Sequence, residues 1–382
     1  MATAGQLEPV DARAGSQHGA TAQPGEWSLH GTKVPVVSVA GKRPDGGTGI
    51  RLVARRTRCY SRRMQTAVHA SPALVGLDWG TSSLRAYLID VGGAVIDDRA
   101  EPWGIMQIGD RDFAQACRDI TAQWPGAAGM PVIACGMVGS AQGWIEAPYC
   151  AAPAGASEIA QSLVGVPGTN VCIVPGIAQH DNADVMRGEE TQIIGALSLH
   201  DGLDADARIV CPGTHSKWVT ISNDRIAGFT TFMTGELYAV LIAHSILGRL
   251  ARNVVSPVPT DATNDAFLLG VSTARDSRRD TASLLFSARA RALLGEIKPE
   301  ATLEYLSGLL IGGEVREGLA TGDAPTVLLG DGALCARYSA TLREFDVAGV
   351  RVIEQSAPVG LWRIAAAAGL FRTSARFTEA SP

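Results

Sequence analysis

Leu-Val-Gly-Leu-Asp-Trp-Gly-Thr-Ser-Ser-Leu-Arg-Ala-Tyr-Leu-Ile-Asp, residues 74–90, is the stretch whose reading decides the fold. An apolar run from Leu74 to Leu77 enters a tight turn at Asp78-Trp79-Gly80-Thr81-Ser82-Ser83. A second run, Leu84 to Ile89, leaves it. Alternation on both sides of a glycine-containing turn predicts a β-hairpin. Its tip holds one carboxylate, one glycine and three hydroxyls, a mix that suits magnesium-bound phosphate. The carboxylate can hold the cation, often through water. The glycine lets the backbone come close, and N–H and hydroxyl groups donate to phosphate oxygens. An ordinary polar hairpin tip has the same composition, so later stretches must decide between the two.

The totals set the bounds. The chain has 382 residues, 46% hydrophobic and 19% charged, enough for two domains with a cleft between them. A net charge of −5 argues against nucleic acid as the main partner. No apolar stretch approaches the roughly 20 residues that cross a bilayer, so no membrane partner is expected. Seven cysteines stand singly, without CxxC spacing. Buried, reduced thiols and a cytoplasmic location are therefore expected. A homo-oligomer remains open.

Residues 1–73 differ in texture. They carry ten Lys+Arg against four Asp+Glu, about +6, which leaves about −11 for the remainder. Three readings compete: a disordered basic tail, an Arg-rich targeting peptide, or a spurious extension ahead of a true start at Met64. The expectation is a disordered or spurious extension, with only Val34 to Ala40 faintly strand-like.

From Leu74 the pattern is regular. The hairpin and Val95-Ile96 predict a three-stranded antiparallel meander. A helix is expected over 111–124, with Phe113, Cys117, Ile120 and Trp124 on one face. Pro131 to Cys135 reads as a buried strand ending at a glycine-spaced turn, Gly136-Met137-Val138-Gly139-Ser140. Glu158 to Val164 reads as a helix and Val171 to Val174 as a strand. Residues 181–199 hold Asp181, Asp184, Arg187, Gly188, Glu189 and Glu190 before an apolar run, an acidic helix start. Acid there commonly offsets the helix dipole. A carboxylate pointing into a cleft can also act as a general base.

Residues 209–232 repeat the opening theme. Ile209-Val210-Cys211 is a strand, Pro212-Gly213-Thr214-His215-Ser216-Lys217 a polar turn, Trp218 to Ile221 the return strand, and Ile226 to Phe232 a third. One meander is used twice, about 135 residues apart. Two such turns facing each other would clamp a triphosphate. Helices are expected over 235–250, 264–275, 281–294 and 300–319. Then Thr326 to Leu329 runs into Gly330-Asp331-Gly332 and a helix through Arg343. A glycine turn at a strand–helix junction admits a flat ring. Val350 to Ile353 is a strand and Gly360 to Phe371 a small-residue helix. The expected organisation is one domain over 74–195, a second over 196–355, a terminal helix over 356–371 packing back on the first, and a tail over 372–382.

The order of a DxGT hairpin, a second Gly-Thr hairpin, a late strand–Gly–helix and a small-residue terminal helix resembles the sugar kinase, chaperone and actin ATPase superfamily. The resemblance covers about residues 74–371. Longer strings narrow it. Cys135-Gly136-Met137-Val138-Gly139-Ser140 with Gly143-Trp144 is similar to the 2-dehydro-3-deoxygalactonokinase family. So are Asp184 through Gln192, Pro212 through Trp218, and Phe232-Met233-Thr234-Gly235-Glu236-Leu237. The resemblance implies an α/β fold of two ribonuclease-H-like, actin-like ATPase domains around a nucleotide cleft. It implies ATP-dependent phosphorylation of the 6-hydroxyl of 2-dehydro-3-deoxy-D-galactonate in D-galactonate breakdown. A kinase for the gluconate epimer and a non-kinase ATPase are the alternatives.

The resemblance also distributes roles. Asp78 would partner Mg2+ and ATP, Gly80, Thr81 and Ser82 would bind phosphate, and Gly213 and Thr214 would grip it from the other domain. Gly330 and Gly332 would lie by the adenosine. Glu189 is the first candidate base, because residues 188–195 resemble the helix start that carries an Asp base in glycerol kinase. Asp184 is the second. The acid substrate needs a cation or a nest of backbone N–H groups for its carboxylate. Arg85, Arg187, His215 and Lys217 are candidates, Lys217 also for phosphate. Trp144 would stack on the sugar.

Overall fold

The computed structural model describes residues 71–371, apart from 110–111, 201–202, 204–205, 252–260 and 324. The expected extension through residue 70, its faint strand at 34–40, and the tail at 372–382 lie outside the described residues. Contacts divide the chain into Met1–Arg63 and Met64–Pro382. The second unit is the one described below.

In chain order the first lobe comprises β1 (Pro72–Trp79), β2 (Leu84–Asp90), β3 (Val95–Glu101), α1 (Phe113–Thr121), β4 (Val132–Cys135), β5 (Cys150–Ala151), α2 (Ala156–Gln161), β6 (Val164–Gly165) and β7 (Val171–Ile173). β8 (Ile177–Gln179), β9 (Asp184–Met186) and α3 (Glu189–Leu199) follow. The second lobe comprises β10 (Asp206–Cys211), β11 (Ser216–Ser222), β12 (Arg225–Phe232), α4 (Thr234–His244), α5 (Asp261–Asp276), α6 (Thr281–Leu284), α7 (Ser287–Leu293), α8 (Thr302–Ala320), β13 (Val327–Leu329), α9 (Gly332–Glu344) and β14 (Arg351–Ile353). α10 (Ala357–Ala367) ends the fold. The strands form sheets in the orders β3-β2-β1-β4-β7-β6, β12-β11-β10-β13-β14 and β5-β8-β9.

The two large sheets repeat one plan. Each begins with an antiparallel meander, and its first strand then takes a parallel neighbour, β4 beside β1 and β13 beside β10. The repetition reaches single residues. Gly136 follows β4 at φ +92°, and a Cβ on it would lie 2.8 Å from the Trp79 carbonyl oxygen. Gly330 follows β13 at φ +144°, with the Pro212 carbonyl oxygen as nearest neighbour at 3.7 Å. Trp79 and Pro212 each precede a Gly-Thr pair. Both junction glycines hold backbone conformations that a side chain rarely adopts.

Strand alternation then sorts the faces. Val75, Leu77 and Trp79 point outward, onto a core with Cys117 and Ile120 of α1. Val210, Trp218 and Leu328 point outward from the second sheet, among Phe267, Val271, Ile311 and Tyr338 of α5, α8 and α9. The inner faces share one core: Leu74, Ile89 and Ile133 with Ile209, Val219 and Val327, joined by Ile193, Ala196, Leu361 and Ile364 of α3 and α10. At the crossing of α3 and α10 no side chain fits. A Cβ on Gly195 would lie 2.0 Å from the Ser356 carbonyl oxygen, and one on Gly360 only 1.8 Å from that of Thr191.

Several expected elements differ in extent. The helix at 281–294 is two, α6 and α7, and that at 235–250 stops at His244. Beyond it the chain folds back so closely that a Cβ on Gly248 would meet the Ile242 carbonyl oxygen at 1.9 Å. Trp124 lies past the end of α1, yet is buried with its core. The small β5-β8-β9 sheet has strands of two or three residues, too short for alternation to show.

Candidate active site

The first turn is held from behind. The Gly80 N–H donates to the Ser83 carbonyl at 2.9 Å, and the N–H groups of Ile105 and Met106 donate to the carbonyls of Gly80 and Thr81 at 3.0 and 3.2 Å. Gly104 presses on the backbone of Thr81 and Ser82, where a Cβ would come within 2.2–2.3 Å. Thr81 and Ser82 are left exposed. Asp78, on the inner face, is in register with Arg85 on β2 and Cys135 on β4, with the Cys135 Sγ 4.0 Å from its Oδ1. The nearby Tyr87 hydroxyl is pushed far above its usual pKa by burial, with Asp78 adding to the effect and an Arg85 hydrogen bond opposing it.

The second turn is held the same way. A Cβ on Gly235, in the first turn of α4, would lie 2.6 Å from the Gly213 carbonyl oxygen. The next N–H, of Glu236, donates to the Thr214 carbonyl at 3.0 Å. The Glu236 carboxylate meets the His215 Nε2 at 2.5 Å. Beneath the turn runs a buried network. The Ser216 Oγ lies 2.9 Å from the Tyr338 hydroxyl, which donates to Glu314 Oε2 at 2.7 Å, while Trp218 Nε1 donates to Glu314 Oε1 at 2.8 Å. Burial raises the Glu314 pKa, and hydrogen bonds from Thr234, Tyr338 and Trp218 oppose the rise.

The start of α3 lies between the two turns. A Cβ on Gly188, at φ +108°, would lie 3.5 Å from the Gly136 Cα, on the side of the first turn. Glu189 Oε1 lies 3.9 Å from Lys217 Nζ, on the side of the second. Glu189 Oε2 accepts the Arg187 N–H at 3.2 Å. Burial raises the Glu189 pKa, and Lys217 is the largest opposing influence. Lys217 is itself buried on the inner face of β11. A carboxylate displaced toward neutrality but held by a cation has the character of a general base.

The structure thus gathers Asp78, Gly80, Thr81 and Ser82 on one turn, and Gly213, Thr214, His215 and Lys217 on the other, with Glu189 between. Gly330 adjoins Pro212, and Gly332 packs against the Glu354 carboxylate, 2.7 Å from where a Cβ would sit. Three other candidates are engaged in contacts of their own. Asp184 lies on a strand, and its two oxygens accept the Thr231 N–H at 2.7 Å and the Thr231 hydroxyl at 2.6 Å. Trp144 packs with Trp79 and Phe113 at ring distances of 6.2 and 6.1 Å. Arg187 Nη2 donates to the Ala147 carbonyl at 2.8 Å and its guanidinium covers the Tyr149 ring. Its Nε and Nη1 are buried without a hydrogen-bond partner among the described residues. Arg85 is exposed beside Asp78.

Sequence reasoning gave no individual role to Glu190, Glu236, Glu314 or Tyr338, which contact the start of α3 or the second turn. The visible signal was Glu314, a lone carboxylate in the apolar run Leu309 to Val315. Among the described residues no group of three or more His, Cys, Asp or Glu could hold a metal ion. A single carboxylate, Asp78, before the Gly-Thr turn suits a magnesium ion whose other ligands are phosphate oxygens and water. No helix among the described residues is long and apolar enough to cross a membrane.

Residues 78–364 match the 2-keto-3-deoxy-galactonokinase family. A Rhizobium meliloti protein named "Probable 2-dehydro-3-deoxygalactonokinase" is 39% identical over 303 residues, 77% of this chain and 96% of its own length. The 2-dehydro-3-deoxygalactonokinase of Escherichia coli is 38% identical over 269 residues, 69% of this chain and 87% of its own. A Sinorhizobium meliloti crystal structure titled "putative 2-dehydro-3-deoxygalactonokinase protein" superposes with a TM-score of 0.70 at 35% identity, covering 78% of this chain and 98% of that one. The matched span holds both turns, the start of α3 and the Gly330 junction, and the chain belongs to the 2-keto-3-deoxy-galactonokinase family.

Proposed function

We propose that the protein transfers the terminal phosphoryl group of ATP to the 6-hydroxyl of 2-dehydro-3-deoxygalactonate. The observation that carries this reading is Glu189, a half-buried carboxylate set between two Gly-Thr turns and beside a buried lysine. Phosphoryl transfer asks a protein mainly for positioning and charge stabilisation. The exposed tips of both turns offer N–H and hydroxyl donors to phosphate oxygens. Asp78 would hold the magnesium ion, which when bound spreads the charge of the phosphate groups. Glu189 takes the proton from the attacking hydroxyl, and Lys217 steadies the anionic form of Glu189 beforehand. His215, oriented by Glu236, offers a donor at the rim of the second turn for the substrate carboxylate or the moving phosphate. Gly330, beside Pro212, would lie by the adenosine, with Gly332 packed against Glu354 behind it.

The test is ADP release by the full chain with magnesium and ATP, comparing 2-dehydro-3-deoxygalactonate, its gluconate epimer and no sugar acid. Turnover that requires the galactonate compound supports the reading. Turnover on the epimer alone keeps the kinase and changes its substrate. Equal turnover without any sugar acid overturns the kinase assignment and leaves an ATPase.

A further inference from the structure

Glu190 is the one fully buried carboxylate beside the candidate base. Its exposure is 0%, and it joins no ion pair among the described residues. Oε2 accepts the Gly188 N–H at 2.6 Å, and Oε1 lies 2.9 Å from the Thr191 hydroxyl. The bond to Gly188 fixes the left-handed residue that turns the chain from β9 into α3 and aims Glu189 between the turns. Two adjacent carboxylates at one helix start divide their roles by environment. Glu189 has Lys217 at 3.9 Å, whereas Glu190 has burial and a like-charged neighbour.

The other ionisable groups nearby do not supply the missing cation. Cys135 on β4 senses both Glu190 and Asp78, and Cys211 on β10 senses Glu189 and Lys217. α10, packed on α3, carries Arg363 as its only charged residue, and Arg363 lines a crevice beside Arg225 and Glu158.

We propose that Glu190 is a positioning residue for the transfer, acting as a neutral carboxylic acid that pins the Gly188 turn and leaves the negative charge of the pair on Glu189. The proposal rests on the reading of Glu189 as the base. Burial, with Glu189 second, raises the Glu190 pKa to about 8. Below that value Glu190 is neutral and the pair carries one charge. Above it a second buried charge appears next to the first, and like-charge repulsion disturbs the placement of Glu189.

The experiment compares the full-length wild type with E190Q, E190A and E189Q, by kcat against pH and by the infrared carbonyl band of a protonated carboxyl. Wild-type kcat should fall as pH rises through about 8. E190Q, which keeps the shape and neutrality of the acid, should lack that fall and stay within about threefold of wild type at pH 7, whereas E190A should lose roughly tenfold to a hundredfold in kcat with both KM values little changed. The protonated-carboxyl band should be present in wild type and E189Q at pH 7 and should lose the Glu190 component in E190Q, any share from the buried Glu314 being common to all three. If E190Q is as impaired as E190A, Glu190 acts through its charge and the proposal is overturned. A wild type without the Glu190 component at pH 7 overturns it regardless of activity, and so settles the matter should E190A fail to fold. Near-normal kcat in E189Q with the band intact would instead sink the base assignment alone.

Discussion

Replacing Glu189 by Gln should leave ATP affinity nearly unchanged and lower kcat by about 10²–10⁴, read by equilibrium nucleotide binding alongside steady-state turnover. Its pKa is raised, so the base is lost to protonation as pH falls through a value above the ordinary carboxylate range. The acid limb of kcat should therefore lie above that of an exposed glutamate, and Lys217→Met should move it higher, because the largest opposing influence is gone. Asp184 provides the contrast. Its oxygens are already committed to Thr231, so Asp184→Ala should destabilise the fold by about 1–3 kcal/mol while kcat stays within a few-fold. A kcat loss as large as that of Glu189→Gln would transfer the base to Asp184.

At the scale of elements, the two Gly-Thr turns are backed by neighbouring elements that press on them where a side chain would not fit. Gly104 backs the first and Gly235, opening α4, backs the second. A methyl group at either place must push the turn forward. Gly235→Ala should raise KM for ATP by roughly tenfold or more, and the sugar-acid KM should change less. The network of Glu314, Tyr338 and Ser216 supports the same turn from below. Tyr338→Phe leaves a buried carboxylate oxygen and a serine hydroxyl short of one partner, a loss of about 1–3 kcal/mol that a denaturant midpoint would show. The α3–α10 crossing is tighter still. Gly360→Ala forces backbone apart at 1.8 Å, and a loss of at least about 1–3 kcal/mol is expected from overpacking alone.

At the scale of the whole molecule, the inner core is common to both lobes, and two side chains stitch β8 and β9 to the edge of the second sheet. Gln179 exchanges two hydrogen bonds with the Phe229 backbone, at 2.6 and 2.9 Å, and Asp184 holds Thr231. Arg225 joins Glu158 of α2 at 3.0 Å and the Pro153 carbonyl at 2.7 Å. The start of α3, with Glu189, is therefore tied to the sheets that present the Gly-Thr turns.

By itself the sequence determined the repeated meander, the two Gly-Thr turns and the late strand–glycine junction. Each is a local pattern: alternation over six or seven residues, then a turn whose glycine and hydroxyls follow one another in the chain. Glu189 was legible for the same reason, as acid at the start of an apolar helix. Only the tertiary structure decided what lay across the fold. It placed Asp184 on a strand facing Thr231, 47 residues away, and put Trp144 into an aromatic cluster. It gave adjacent glutamates different environments by setting Lys217 beside one of them. It also brought Glu314 beneath a turn some hundred residues earlier in the chain, 96 residues from Trp218. Such roles depend on which distant side chain shares a buried volume, and neither periodicity nor spacing along a single chain records that.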